Sequence, residues 1–181
     1  MMAQMYQVKK QARSEFVPIR NLQYHVQVWG EPSPDKIPLV LVHGWMDVAA
    51  SYQFVVDAFK QDHYIIAPDW RGYGQTASGG VDNFWFPDYL ADLDFLLDHY
   101  APNQPVNLVG HSLGGNVVMI YAGIRPERIR RLVNLEGLAC PPPRRTRRPS
   151  VMPSGWTNSK PCTVARWSSR PTTVLPASPA A

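Results

Sequence analysis

At 181 residues and 20.4 kDa the chain can form one domain with a real core but not two ordinary ones, and 45% hydrophobic against 18% charged residues excludes an acidic disordered chain. No run approaches the roughly 18 apolar residues of a membrane span, Met1 to Phe16 lacks a signal-peptide core, and Cys140 and Cys162 fit neither a disulfide scaffold nor a zinc spacing, so a soluble, cytoplasmic protein is expected. The net charge of +4 conceals a division: residues 1–136 carry all 14 acidic side chains against 11 Lys and Arg, and this acidic balance argues against nucleic acid as a partner.

Leu22, Tyr24, Val26 and Val28 alternate with Gln23, His25, Gln27 and Trp29, the period of a strand buried on one face. Pro32 and Pro34 among charged residues mark a turn. Leu39 to Val42 is a continuous apolar run, as a central strand covered on both faces requires, and it leads directly into His43-Gly44-Trp45. Ser51 is the expected N-cap of a helix on which Tyr52, Val55, Val56 and Phe59 recur at helical spacing. Tyr64 to Ala67 is the next buried strand, ended by the glycine-rich loop Asp69-Trp70-Arg71-Gly72-Tyr73-Gly74. Pro87 suits a first helical turn, after which Phe86, Leu90, Leu93, Leu97 and Tyr100 form the apolar face of a helix whose other side carries Asp88, Asp92 and Asp98. Pro105 to Val109 passes without a spacer into Gly110-His111-Ser112-Leu113-Gly114-Gly115 and a helix through Val117, Ile120, Tyr121 and Ile124. Arg131 to Leu135 is the last strand, ending at Glu136. Strands alternating with helices need right-handed crossovers, so the fold class is α/β: a mostly parallel sheet with helices on both faces.

Beyond this pattern the composition changes. Residues 137–181 hold seven Lys and Arg, no acid and nine of the 18 prolines, so a core over 1–138 is predicted to be followed by an irregular, disordered Pro/Arg/Ser-rich tail over 139–181. The tail has three readings. It is a basic arm built on Arg144, Arg145, Arg147 and Arg148, a solvated extension, or the product of a reading-frame slip near residue 140. Out-of-frame GC-rich coding DNA yields Pro, Arg, Ser, Thr and Ala with few acids, which favours the slip and makes the DNA after the Cys140 codon its test.

Gly110-His111-Ser112-Leu113-Gly114 is a G-x-S-x-G between a buried strand and a helix. A serine at the apex of such a turn sits in a strained conformation, which small neighbours permit, with its hydroxyl aimed away from the sheet. Gly110 and Gly114 supply that room. The helix that follows points its N-terminus at the site, so the Leu113 N–H is an expected donor to an oxyanion beside Ser112. His43-Gly44-Trp45, past an earlier strand, offers a second backbone donor, assigned to Trp45. His43 is expected to bond its own loop rather than move protons, and Asp69 and Arg71 to brace theirs. The plain alternative is a glycine-rich turn with an incidental serine.

Taken together, His43-Gly44-Trp45, Asp69 to Gly74 and Gly110 to Gly115 resemble the motifs of the α/β-hydrolase fold family, in order and over about residues 20–138. The resemblance implies Ser112 as nucleophile, Trp45 and Leu113 as the oxyanion hole, and acyl transfer to water through an acyl-enzyme, as in an esterase or lipase. Serine, where epoxide hydrolase and haloalkane dehalogenase relatives have aspartate, points to a small ester, thioester, lactone or carbon–carbon bond substrate. No metal or organic cofactor is implied.

The family orders its triad as serine, acid, histidine, yet the five histidines are His25, His43, His63, His99 and His111, all before Ser112. His111 is adjacent to the nucleophile, and adjacent side chains on a tight turn diverge. Glu136 stands where some members place the acid, or is a solvated carboxylate. Loss of the base costs roughly 10⁴–10⁶ in turnover, so impaired activity is expected. The family normally adds a cap and further strands, without which the last strand lies at an open edge and invites self-association. The alternative function is a non-catalytic binding module on the same core.

Overall fold

The computed structural model describes residues 6–80 and 84–137. Strands Arg13–Ile19 (β1) and Leu22–Trp29 (β2) pair antiparallel through the turn at Arg20, whose φ of 54° lets the chain reverse in two residues. Leu39–Val42 (β3), Ile65–Pro68 (β4), Val106–His111 (β5) and Ile129–Leu135 (β6) complete one six-stranded sheet in the order β1-β2-β4-β3-β5-β6. β4, β3, β5 and β6 are parallel, and β2 joins them antiparallel through β4.

A 3₁₀ turn, Ala49–Tyr52, leads into the short helix Gln53–Ala58 (α1); Phe86–Tyr100 (α2) and Leu113–Ile124 (α3) are the longer helices. On one face α2 and α3 bury Leu93, Leu97 and Val117 against Tyr24, Val40 and Leu108. On the other, Tyr52 and Val56 pack on Trp29, Leu41 and Ile65. The predicted α/β class, with helices on both faces of a mostly parallel sheet, is the architecture found. From β3 the chain steps out to β4 and then crosses back over β3 to β5, so the loops after β3 and β5 leave toward opposite faces. A crevice opens at their carboxyl ends, where open α/β sheets place ligands.

Several local expectations are corrected. β1 is an unanticipated strand, because as an edge strand it buries only Val17 and Ile19 and carries little period-2 signal. His25 and Trp29, expected on a polar face, are buried: Trp29 packs with Tyr52 and Val56, and His25 lies against Asp69 and Phe16. Ser51 does not cap a helix: it lies inside the 3₁₀ turn, and Asp47 Oδ1 instead accepts the Val48 N–H at 2.8 Å and the Ser51 hydroxyl. Val55 is exposed. The irregular tail expected over 139–181, with both cysteines, lies outside the described residues. Among the described residues no helix is long and apolar enough to cross a membrane.

Asp92 is the largest departure, since it is fully buried rather than solvated. Its carboxylate accepts Arg71 Nε at 2.6 Å and Nη2 at 2.8 Å, the Tyr24 hydroxyl at 2.6 Å and Arg20 Nη1 at 3.1 Å. Burial, reinforced by Asp92, drives the Tyr24 hydroxyl well above its ordinary pKa and keeps it a donor, while the bond to Asp92 raises Arg71. The bidentate pair ties the loop after β4 to α2, and the Tyr24 hydroxyl joins β2 to the same carboxylate, so Arg71 braces its loop as expected. Asp92→Ala, which strands a buried guanidinium, is predicted to lower unfolding stability by about 3–5 kcal/mol in urea titrations, whereas Asp62→Ala, which removes a solvent-exposed partner of Lys10, changes it little.

Candidate active site

β5 ends at His111, and Ser112 turns the chain into α3 with φ 50° and ψ −115°. A non-glycine residue there stores strain on the order of 1–3 kcal/mol, and the surroundings must hold it. They do so through the backbone: the Ser112 N–H donates to Leu135 of β6 at 2.8 Å, and its carbonyl accepts the Asn116 N–H at 3.1 Å. The turn is also too tight for side chains. A Cβ on Gly110 would meet the backbone of Gly114 and Gly115, and one on Gly114 would run into the carbonyls of Val42 and His43. The first turn of α3 therefore lies directly on the end of β3.

That contact brings the His43-Gly44-Trp45 loop to the serine, so that a Cβ added to Gly44 would lie 3.0 Å from the Ser112 Cβ. His43 is wholly buried and uses both ring nitrogens: Nδ1 donates to the Gly44 carbonyl at 2.7 Å and Nε2 accepts the Trp70 N–H at 2.9 Å. The Trp70 indole N–H returns a bond to the His43 carbonyl at 2.9 Å. Burial pushes the His43 imidazole below its ordinary pKa, so it is neutral and committed to the loop. Asp69 is committed as well, accepting the Ala49 N–H at 2.7 Å and the Gln75 N–H at 2.9 Å.

Ser112, Trp45 and Leu113 border one cavity of about 570 Å³. Among the described residues the amides of Trp45 and Leu113 donate to no other protein group. The Trp45 side chain is 71% exposed. The same cavity is also lined by the aromatic residues Tyr73, Phe84, Phe86 and Tyr89, and burial raises the Tyr89 hydroxyl to about 12, so it stays protonated. This lining was not anticipated. Its signal in the sequence is the run Phe84-Trp85-Phe86, of which Phe86 also belongs to the predicted helix face.

The remaining predicted residues, His111 and Glu136, are not among those that line the cavity. His111 Nε2 is 3.9 Å from a Glu136 oxygen, and the Glu136 side chain is 87% exposed just past β6, at φ 58°. The structure brings Glu136 to His111 rather than to a buried position behind the serine. Among the described residues no three His, Cys, Asp or Glu side chains gather as a metal-binding group.

A family model described as alpha/beta hydrolase fold matches residues 37–158. The chain belongs to the α/β-hydrolase fold family. It is 30% identical over 129 residues to a serine hydrolase-like protein of Danio rerio, covering 70% of this chain and 39% of the relative. It is 38% identical over 101 residues to a cis-3-alkyl-4-alkyloxetan-2-one decarboxylase of Shewanella oneidensis, covering 54% and 31%. Among solved structures, the thioesterase domain from the curacin biosynthetic pathway superposes with a TM-score of 0.60 at 26% identity, covering 67% of this chain and 45% of that one. The chain thus spans less than half the length of each of these α/β-hydrolase relatives.

The loop histidine carries a pH signature. Because the folded pKa of His43 lies below its unfolded value of about 6.5, both states are neutral above that pH and its contribution is intact there. As pH falls below about 6.5 the unfolded chain takes up a proton that the folded chain refuses, so stability declines until the folded pKa is passed. Urea unfolding between about pH 7 and about pH 5.5 should show this slope, and His43→Gln should flatten it.

Proposed function

We propose that the cavity is a serine-nucleophile acyl-transfer site for neutral esters with an aromatic or otherwise flat apolar group, and that this chain turns them over slowly. The observation that carries this reading is the strained backbone of Ser112 between β5 and α3, with its side chain bordering the same cavity as Trp45 and Leu113. A hydroxyl attacking a carbonyl carbon creates a negative oxygen beside it. Two free amides pointed at that oxygen would each contribute on the order of 3 kcal/mol to the transition state. The volume is that of a small-molecule site, and the lining side chains carry no formal charge, which supports a neutral substrate.

The proposed slow turnover rests on where the histidines of this chain stand. No histidine follows Ser112 in the sequence, and His43 is committed to its loop. Glu136 is proposed as the acid of the set, although its exposure leaves it without a buried imidazole to orient. The same facts support the second reading, a binding module that keeps the cavity and has lost the chemistry.

Two measurements separate these. In neutral buffer, where free phenylboronic acid is trigonal, it should give a tetrahedral boron resonance with the chain and none with Ser112→Ala, since the Ser112 oxygen would supply the fourth bond to boron; its absence from both would favour the binding module. Hydrolysis of p-nitrophenyl acetate should be slow, and serine-dependent turnover on the order of 10 per second, typical of an intact enzyme, would show that a working base exists.

The outer edge of β6 supports one proposal about partners. Among the described residues nothing pairs with it, and Val133 and Leu135 stand exposed beside it. Self-association through that edge predicts a concentration-dependent mass in sedimentation that Val133→Lys reduces; a concentration-independent monomer would exclude it.

A further inference from the structure

A second serine meets a histidine and an aspartate away from the cavity. Ser14 lies exposed on the edge strand β1, His25 is buried on β2, and Asp69 follows β4. Asp69 is held rigidly, with Oδ1 on the Ala49 N–H at 2.7 Å and Oδ2 on the Gln75 N–H at 2.9 Å. Its Oδ2 also lies 2.7 Å from His25 Nδ1. A carboxylate that already holds two backbone N–H groups only accepts, so in the neutral imidazole the proton resides on Nδ1 and Nε2 presents a lone pair. Ser14 Oγ lies 2.7 Å from that Nε2. The other groups against the ring are Phe16, with centroids 5.2 Å apart, and the Gln75 side-chain nitrogen, 3.4 Å from Nε2.

We propose that Ser14 is a base-activated nucleophile that takes an acyl group from an activated ester, with His25 as the base and Asp69 as the group that orients it. Three features carry the assignment: the nucleophile lies within hydrogen-bond reach of a base, the base is fixed in one tautomer by a third group, and only the hydroxyl end is open to solvent. In the step, Ser14 Oγ bonds to the carbonyl carbon and its proton passes to His25 Nε2. The carbon–oxygen bond to the leaving group then breaks, and the leaving oxygen takes that proton, so the imidazole ends neutral. None of Ser14, His25, Asp69 or Gln75 borders the Ser112 cavity, so the proposal is independent of the function proposed there.

The test uses the full-length Ser112→Ala chain with diisopropyl fluorophosphate, which traps the attacking oxygen as a stable phosphoryl ester with loss of fluoride, and locates the adduct by tandem mass spectrometry. Folded protein should label Ser14 at least about 100-fold faster than exposed Ser51, whose hydroxyl contacts the Asp47 carboxylate rather than an imidazole. His25→Gln should bring Ser14 down to the Ser51 rate. Should that variant fail to fold, unfolding the parent chain in urea gives the same comparison, because the activation exists only in the folded arrangement. A Ser14 to Ser51 ratio below about 100 in the folded chain, or a fast Ser14 rate that persists in urea, overturns the proposal. A buried histidine that merely uses Ser14 to satisfy its nitrogen predicts the first of those outcomes.

Discussion

The close contact between the first turn of α3 and the carboxyl end of β3 is the constraint on which the rest of the site depends. It exists because Gly114 has no Cβ where the carbonyls of Val42 and His43 pass, and because Gly110 leaves room for Gly114 and Gly115 in return. Parallel pairing of β3 with β5, with Val42 opposite Gly110, sets the two strand ends level. The loop after β3 and the bend after β5 then have nowhere to go but against each other. From this one contact follow the left-handed backbone of Ser112, the approach of Gly44 to its side chain, and a single cavity that Trp45 and Leu113 both line.

A second layer keeps that arrangement rigid. Among the described residues, the charged and polar groups that the loop after β4 buries are matched: Asp69 with His25 and two backbone amides, Arg71 with Asp92, the Trp70 backbone and indole with His43, and the Thr76 hydroxyl oxygen with the His25 N–H. Unmatched, each would carry a desolvation penalty, so the loop has one low-energy arrangement rather than several. That arrangement lets Tyr73 line the cavity together with Phe84, Phe86 and Tyr89. The same commitment has a chemical consequence, since an imidazole satisfied at both nitrogens and buried in neutral form has no free lone pair for Ser112.

The sequence made much of this legible, for reasons that are local. β3 is a continuous apolar run because it is covered on both faces, and its limits are those read from the residues. The bend at Ser112 was readable because glycines on either side of a serine, between an apolar run and a helix, leave few other conformations. α2 was legible from Pro87 and the spacing of Leu90, Leu93 and Leu97, whereas the burial of Asp92 on it was not, because what buries it is Arg71, 21 residues earlier in the chain. β1 escaped notice for a related reason: an edge strand with one covered end has too few buried positions to show a period.

What the sequence determined by itself was the fold class, the order of its elements and the residue at the bend, since each rests on short-range periodicity, turn chemistry and the small size of glycine. Only the tertiary structure decided which polar side chains are inside, which aromatic residues converge on Ser112, and which serine finds an imidazole beside it. Those are meetings between residues on different strands and loops, where pairing and packing, rather than spacing along the chain, choose the neighbour; Ser14 and Asp69 reach His25 from 11 and 44 residues away.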